Sequence, residues 1–90
     1  MQYFVYILYS KRLNKYYIGS TSNIEERLRK HNRGHKGFTS AGQPWIIVYH
    51  EIFSNKTDAL LRETQLKGWK NRERIEKLFR NPNAGSEHPD

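Results

Sequence analysis

A chain of 90 residues has room for one hydrophobic core, because domains of this size bury only a little over half of the surface that their unfolded chains expose. The absence of cysteine excludes a disulfide framework, a thiolate nucleophile and a Cys-based zinc site, and no apolar run approaches the roughly 20 residues needed to cross a bilayer, so the expectation is a soluble, cytoplasmic protein. The formal charge of +7 favours nucleic acid over an anionic membrane surface as partner, since Lys and Arg release condensed counterions when they neutralise phosphates.

From Tyr3 to Tyr9 the run Tyr-Phe-Val-Tyr-Ile-Leu-Tyr is β-branched and aromatic on both faces, which predicts a strand covered on both sides. A polar break at Ser10, Lys11, Arg12 and Asn14 separates it from a second strand over 16–21, a connection short enough for an antiparallel hairpin. Ser22 with Glu25 reads as a capping box, and Ile24 with Leu28 gives the next helix an apolar stripe out to about Asn32. The stretch from Arg33 to Pro44 carries Gly34, Gly37 and Gly42 and reads as a long surface loop. Trp45 to Phe53 is the third strand. Ser54 or Asn55 then caps a helix through Ala59, Leu60 and Leu66 towards Trp69, and Ile75, Leu78 and Phe79 mark a short last helix. Residues 1–80 form the single domain, and the tail 81–90, without periodicity, is expected to be disordered.

An even-numbered hairpin loop centred between Arg12 and Leu13 puts residues whose numbers sum to 25 opposite each other, so Tyr6 faces Gly19 and Leu8 faces Tyr17. Tyr6 and Tyr17 then become diagonal neighbours on one face, and Gly19, lacking a side chain, leaves a hole beside Tyr6 for a phosphate. On the first helix Arg27 and His31 sit one turn apart on the flank of the apolar stripe. On the second, Glu63 falls within the stripe expected to face the core, where a carboxylate needs a partner. These are parts of a phosphodiesterase: Arg27 for charge on the phosphate, His31 as the better unassisted acid or base, and Glu63 as a hard ligand for Mg²⁺. A tyrosine with an ordinary pKa near 10 is a poor base at neutral pH and needs help to take a proton.

In this order the residues resemble the GIY-YIG nuclease family, in particular its small standalone bacterial branch. Phe4-Val5-Tyr6 stands at the first motif and Tyr17-Ile18-Gly19 matches the second letter for letter; Arg27, His31 and Glu63 follow at suitable places, and the likeness covers roughly residues 2 to 80. It implies an α+β fold with a three-stranded antiparallel sheet flanked by helices. It also implies a metal-dependent endonuclease, using Mg²⁺ or Mn²⁺ on DNA, with branched or damaged DNA among its substrates. By the same resemblance Tyr6 and Tyr17 position and deprotonate the attacking water, Arg27 holds the scissile phosphate, His31 assists proton transfer, and Glu63 binds the metal. The first motif keeps only its tyrosine. The lysine that some members carry after the second motif is Ser20 here, for which Lys36 or Lys67 is a substitute, and Asn71 stands too close after Glu63 for the asparagine of other members.

Blander readings compete. Tyr3, Tyr9 and Tyr16 read as packing aromatics, and Glu63 as the partner of Lys67 in an i,i+4 pair. The basic run containing Lys67, Lys70, Arg72, Arg74, Lys77 and Arg80 reads either as a solvated face or as a nucleic-acid surface with Trp69 stacking on an unpaired base. Two other functions stay in view: a noncatalytic nucleic-acid-binding module, with a protein partner or a second copy of the chain supplying what it lacks, and an interaction domain whose charge is incidental.

Overall fold

In the computed structural model, which describes residues 1–33 and 38–80, the aromatic run forms β1 (Tyr3–Ser10) and turns back into β2 (Lys15–Thr21). The four-residue connection closes with Asn14 in the left-handed region at φ 55°, and its side chain accepts a hydrogen bond from Tyr9 at 2.7 Å. The register is the expected one: Tyr6 pairs with Gly19 and Leu8 with Tyr17. A third strand, β3 (Trp45–Phe53), runs antiparallel along the other side of β1, so the sheet order is β2-β1-β3. The fold is α+β, as the strand and helix patterns led one to expect.

Because successive side chains of a strand point to opposite faces, the central strand supplies two cores. Val5 and Ile7 lie under α2 (Lys56–Gly68) and α3 (Arg72–Glu76), packed with Ala59, Leu66 and Ile75. Tyr6 and Leu8 lie on the opposite face with Trp45, packed by Ile24 and Leu28 of α1 (Ile24–Arg33). The continuous apolar character of β1 is therefore explained by cover on both sides.

Several local expectations change. The first helix is capped by Asn23, whose side chain accepts from the Glu26 amide at 3.1 Å, and not by Ser22; Thr21 fixes Asn23 by accepting its backbone amide at 3.1 Å. The described part of the loop before β3 contains a 3₁₀ turn (Phe38–Gly42) pinned to the rest of the fold. Trp45 donates its indole N–H to the Thr39 carbonyl at 2.6 Å, and Asn32 brackets the Trp45 backbone with bonds of 2.6 and 3.0 Å. Asn55 caps α2, accepting from the Asp58 amide at 2.8 Å, but Leu60 is 45% exposed and lies off the buried stripe that Ala59 and Leu66 define. Lys36 and the tail 81–90 lie outside the described residues.

The end of the chain is tied to the hairpin. Glu76, buried on α3, accepts from the Tyr16 hydroxyl at 2.7 Å and from Arg72 at 3.0 Å, and Arg80 also pairs with it. Arg72 continues to the Asn14 carbonyl at 2.9 Å and lies over the Tyr16 ring. Tyr16 and Tyr9 pack ring on ring, which supports their reading as structural aromatics. Trp69, by contrast with the stacking expectation, is half-buried with the Arg74 and Arg62 guanidinium groups over its ring at 4.2 and 5.4 Å, so its face is already taken.

Candidate active site

Three of the expected residues are in direct contact. The Tyr6 hydroxyl lies 3.2 Å from Nε2 of His31, both groups being buried. The Tyr17 ring stacks beside Tyr6 with centroids 6.5 Å apart and meets the His31 ring edge-on at 4.7 Å. Trp45 closes this aromatic cluster from β3, 6.2 Å from Tyr17. The hole expected next to Gly19 is not open to a phosphate. A Cβ at that position would fall 2.5 Å from the Tyr6 hydroxyl oxygen, so the missing side chain makes way for the phenol itself.

Burial raises the Tyr6 pKa to about 12, with Tyr17 and Glu63 adding to the rise and Arg27 opposing it. For His31 burial is again the main cause, helped by the Arg27 charge, and both hold its pKa below the usual value. At neutral pH the pair is a protonated phenol and a neutral imidazole. If Tyr6 donates, Nε2 accepts and the imidazole proton sits on Nδ1.

Arg27, exposed on α1 one turn before His31, is close enough to act electrostatically on Tyr6, His31 and Glu63. Glu63 approaches differently from the way the sequence suggests. It sits on α2, on the sheet face opposite the two phenols, and accepts from the Ser20 hydroxyl at 2.6 Å while Lys67 pairs with its other oxygen at 2.8 Å. Ser20 belongs to the same face because it pairs with Val5. The two halves of the site are linked electrostatically across β2, an edge strand: the Glu63 charge raises the Tyr6 pKa and the Arg27 charge lowers that of Glu63. The i,i+4 pair with Lys67 is therefore present, which places Lys67 where it neutralises the carboxylate.

Burial favours the neutral form of Glu63, but the hydrogen bonds from Lys67 and Ser20 and the charges of Lys67 and Arg27 outweigh it and hold the pKa below the usual carboxylate value. An anionic, oriented carboxylate with only 17% of its side chain exposed fits a hard divalent ion that takes its remaining ligands from water and substrate phosphate. Among the described residues no three His, Asp or Glu side chains gather into a metal-binding group, so an ion here would rest on Glu63 as its protein carboxylate, across β2 from the phenols.

Four contributors escaped the sequence reading: Ser20 orienting Glu63, Asn32 and Trp45 fixing the end of α1 that carries His31, and Lys56, which shares a cleft with Arg27. Asn71 caps α3, accepting from the Glu73 amide at 2.9 Å, and takes no part in the site. Lys70 is exposed after α2. No helix among the described residues is long and apolar enough to cross a membrane.

Comparison with known proteins agrees with this architecture. Residues 2–77 match the GIY-YIG catalytic domain. A UPF0213 protein of Staphylococcus haemolyticus is 35% identical over 79 residues, spanning 86% of this chain and 94% of its own, and a UPF0213 protein of Bacillus pumilus is 35% identical over 77 residues, spanning 80% and 78%. The solution NMR structure of a UPF0213 protein from Bacillus halodurans superposes with a TM-score of 0.53 at 28% identity, covering 84% of this chain and 81% of that one. Domains of the matched kind are typically nucleases, act on nucleic acid and generally use a divalent metal. With the register, the helix placement and the match over residues 2–77 in agreement, this chain belongs to the GIY-YIG family.

Proposed function

We propose that this protein is a metal-dependent endonuclease that hydrolyses phosphodiester bonds in DNA, branched or damaged forms among its substrates, in the cytoplasm. The observation that carries the reading is the buried contact of 3.2 Å between the Tyr6 hydroxyl and His31 Nε2. A buried phenol with a pKa raised to about 12 does not ionise by itself at neutral pH. Next to an imidazole kept neutral, it relays a proton: water gives a proton to the Tyr6 oxygen as the phenolic proton passes to Nε2 of His31. The resulting hydroxide forms the new phosphorus–oxygen bond, the bond to the leaving oxygen breaks, and the proton held by His31 is returned through solvent to that oxygen, which leaves as a hydroxyl and restores the resting pair.

Tyr17 packs against both partners and holds the relay in line. Arg27 binds the scissile phosphate and stabilises its developing charge. Mg²⁺ or Mn²⁺ held by Glu63 would supply further electrostatic stabilisation of the phosphate oxygens. Lys70, on the exposed basic surface, adds non-specific attraction for the nucleic acid.

A second reading, a noncatalytic nucleic-acid-binding module that works with a protein partner or as a homodimer, draws on the Lys67 ion pair that already neutralises Glu63. Cleavage of linear, nicked and branched DNA in Mg²⁺ or Mn²⁺ by wild type, Glu63→Ala and His31→Ala separates the two. The nuclease reading expects metal-dependent cutting by wild type and a loss of at least a hundredfold in both variants. Equal cutting by all three, with DNA binding retained, leaves the binding module standing.

A further inference from the structure

At the end of β2, Tyr3, Ser20, Thr21, Ser22, Arg27 and Lys56 line a cleft of about 210 Å³. Its lining holds two cations and no carboxylate. Lys56 is the first residue of α2, exposed and without an ion-pair or hydrogen-bond partner among the described residues, in contrast to Lys67, which is neutralised by Glu63. The hydroxyls are unequal. Ser20 donates to Glu63 at 2.6 Å and Thr21 is engaged with the Asn23 backbone, whereas Ser22 is exposed and has no hydrogen-bond partner among the described residues. Donors left for a ligand are therefore the Lys56 ammonium, the Arg27 guanidinium and the Ser22 hydroxyl, a set that selects an anion with several acceptor oxygens.

The cleft also touches the candidate chemistry at two points. Arg27 acts on Tyr6, and Ser20 holds Glu63. An anion bound here lies one side chain away from each half of the site.

We propose that this cleft is a second phosphate subsite, in which Lys56 and Ser22 hold the backbone phosphate neighbouring the one engaged at Arg27 and so set the register of the strand. The inference rests on the nucleic-acid reading given above but not on turnover. Lys56 is a positioning residue in this scheme, acting on the strand and not on the reacting atoms.

The test is equilibrium binding without divalent metal. Anisotropy of a labelled DNA oligonucleotide is followed over a salt series for wild type, Lys56→Ala, Lys56→Arg and, as a remote control on the exposed hairpin turn, Lys11→Ala. Loss of one phosphate contact reduces the slope of log K against log salt by about 0.7–0.9. Lys56→Ala is expected to show this drop, while Lys56→Arg and Lys11→Ala keep the wild-type slope. In parallel, inorganic phosphate is titrated against the ¹⁵N-labelled protein, and the oligonucleotide is expected to shift the Ser22 and Lys56 amides at far lower concentration. An unchanged slope in Lys56→Ala, an equal drop in Lys11→Ala, or shifts from inorganic phosphate alone overturns the subsite. Failure of wild type to bind DNA at low salt removes the nucleic-acid reading as well, and absence of cleavage with the Lys56→Ala drop intact removes only the nuclease reading.

Discussion

Gly19 and Tyr6 occupy one space between them: the phenolic oxygen of Tyr6 lies 2.5 Å from the point where a β-carbon on residue 19 would begin. The two residues are paired across β1 and β2, so neither has freedom to withdraw without breaking the ladder. Gly19→Ala is therefore expected to push the phenol away from His31. Overpacking of this kind costs about 1–3 kcal/mol, read as a lowered melting temperature. Cleavage should fall further than stability does, with DNA affinity unchanged. A Gly19→Ala protein that cuts at the wild-type rate would show that the phenol's position is irrelevant to the reaction.

The His31 titration has a definite sign. Burial and the nearby Arg27 lower its pKa in the folded protein below the unfolded value near 6.5, so the unfolded chain binds more protons through that window. The contribution of this group to stability is full above about pH 6.5 and is lost as pH falls towards the folded midpoint. Imidazole NMR shifts should give a midpoint below 6.5, and the His31→Gln protein should lose less stability than wild type between pH 7 and pH 5. A midpoint above 6.5 would contradict the buried, neutral state on which the relay depends.

Removing the hydroxyl at position 20 separates orientation of Glu63 from its charge. Ser20→Ala leaves the Lys67 pair in place but deletes the 2.6 Å bond that fixes one carboxylate oxygen. On the proposed reading of Glu63 as the metal ligand, loss of this supporting bond is expected to reduce metal affinity or activity about 10–100-fold. The Glu63 pKa should also move upward, because Ser20 is one of the groups that lower it. Ser20→Thr, which retains the donor, should restore most of the loss in a Mg²⁺ titration of cleavage.

Asn32 acts at a distance from the chemistry. Its amide satisfies both the N–H and the carbonyl of Trp45 across the gap between α1 and β3, next in sequence to His31. Asn32→Ala leaves two polar backbone groups short of partners and should cost about 1–3 kcal/mol in denaturant unfolding. Asn32→Asp keeps an acceptor for the Trp45 amide but offers no donor to its carbonyl, and should fall between alanine and wild type. Equal stability of all three proteins would mean that the bracket carries no weight.

Much of the fold was legible because it depended on counting. The register of β1 and β2 follows from the parity of one turn, and the start of α2 follows from the capping residues Ser54 and Asn55, of which Asn55 is the cap. The cap of α1 was misplaced by one residue because Ser22 and Asn23 are both competent, and the choice is made by bonds between Thr21 and Asn23 that no local pattern reveals. The neighbourhood of Tyr6 and Tyr17 is readable from the hairpin register, whereas His31, which helical spacing places only on the flank of α1, joins them through the family resemblance. The side of the sheet from which Glu63 arrives was not readable, since it depends on how α2 crosses β2, and neither was the cover over Trp69, supplied by arginines on two different helices. Lys56 looked like one surface cation among sixteen basic residues until the cleft gave it an address.

The anchoring of Tyr16 by Glu76 has a consequence for its neighbour. Adjacent strand residues share a peptide plane while their side chains face opposite ways, so a grip on one ring immobilises the backbone from which the other is hung. Tyr17 thus owes its attitude towards His31 to a carboxylate sixty positions after Tyr16 in the chain, on the far side of the sheet. Sequence drift in that last short helix will be felt as slackness among the aromatic rings long before it is visible as unfolding.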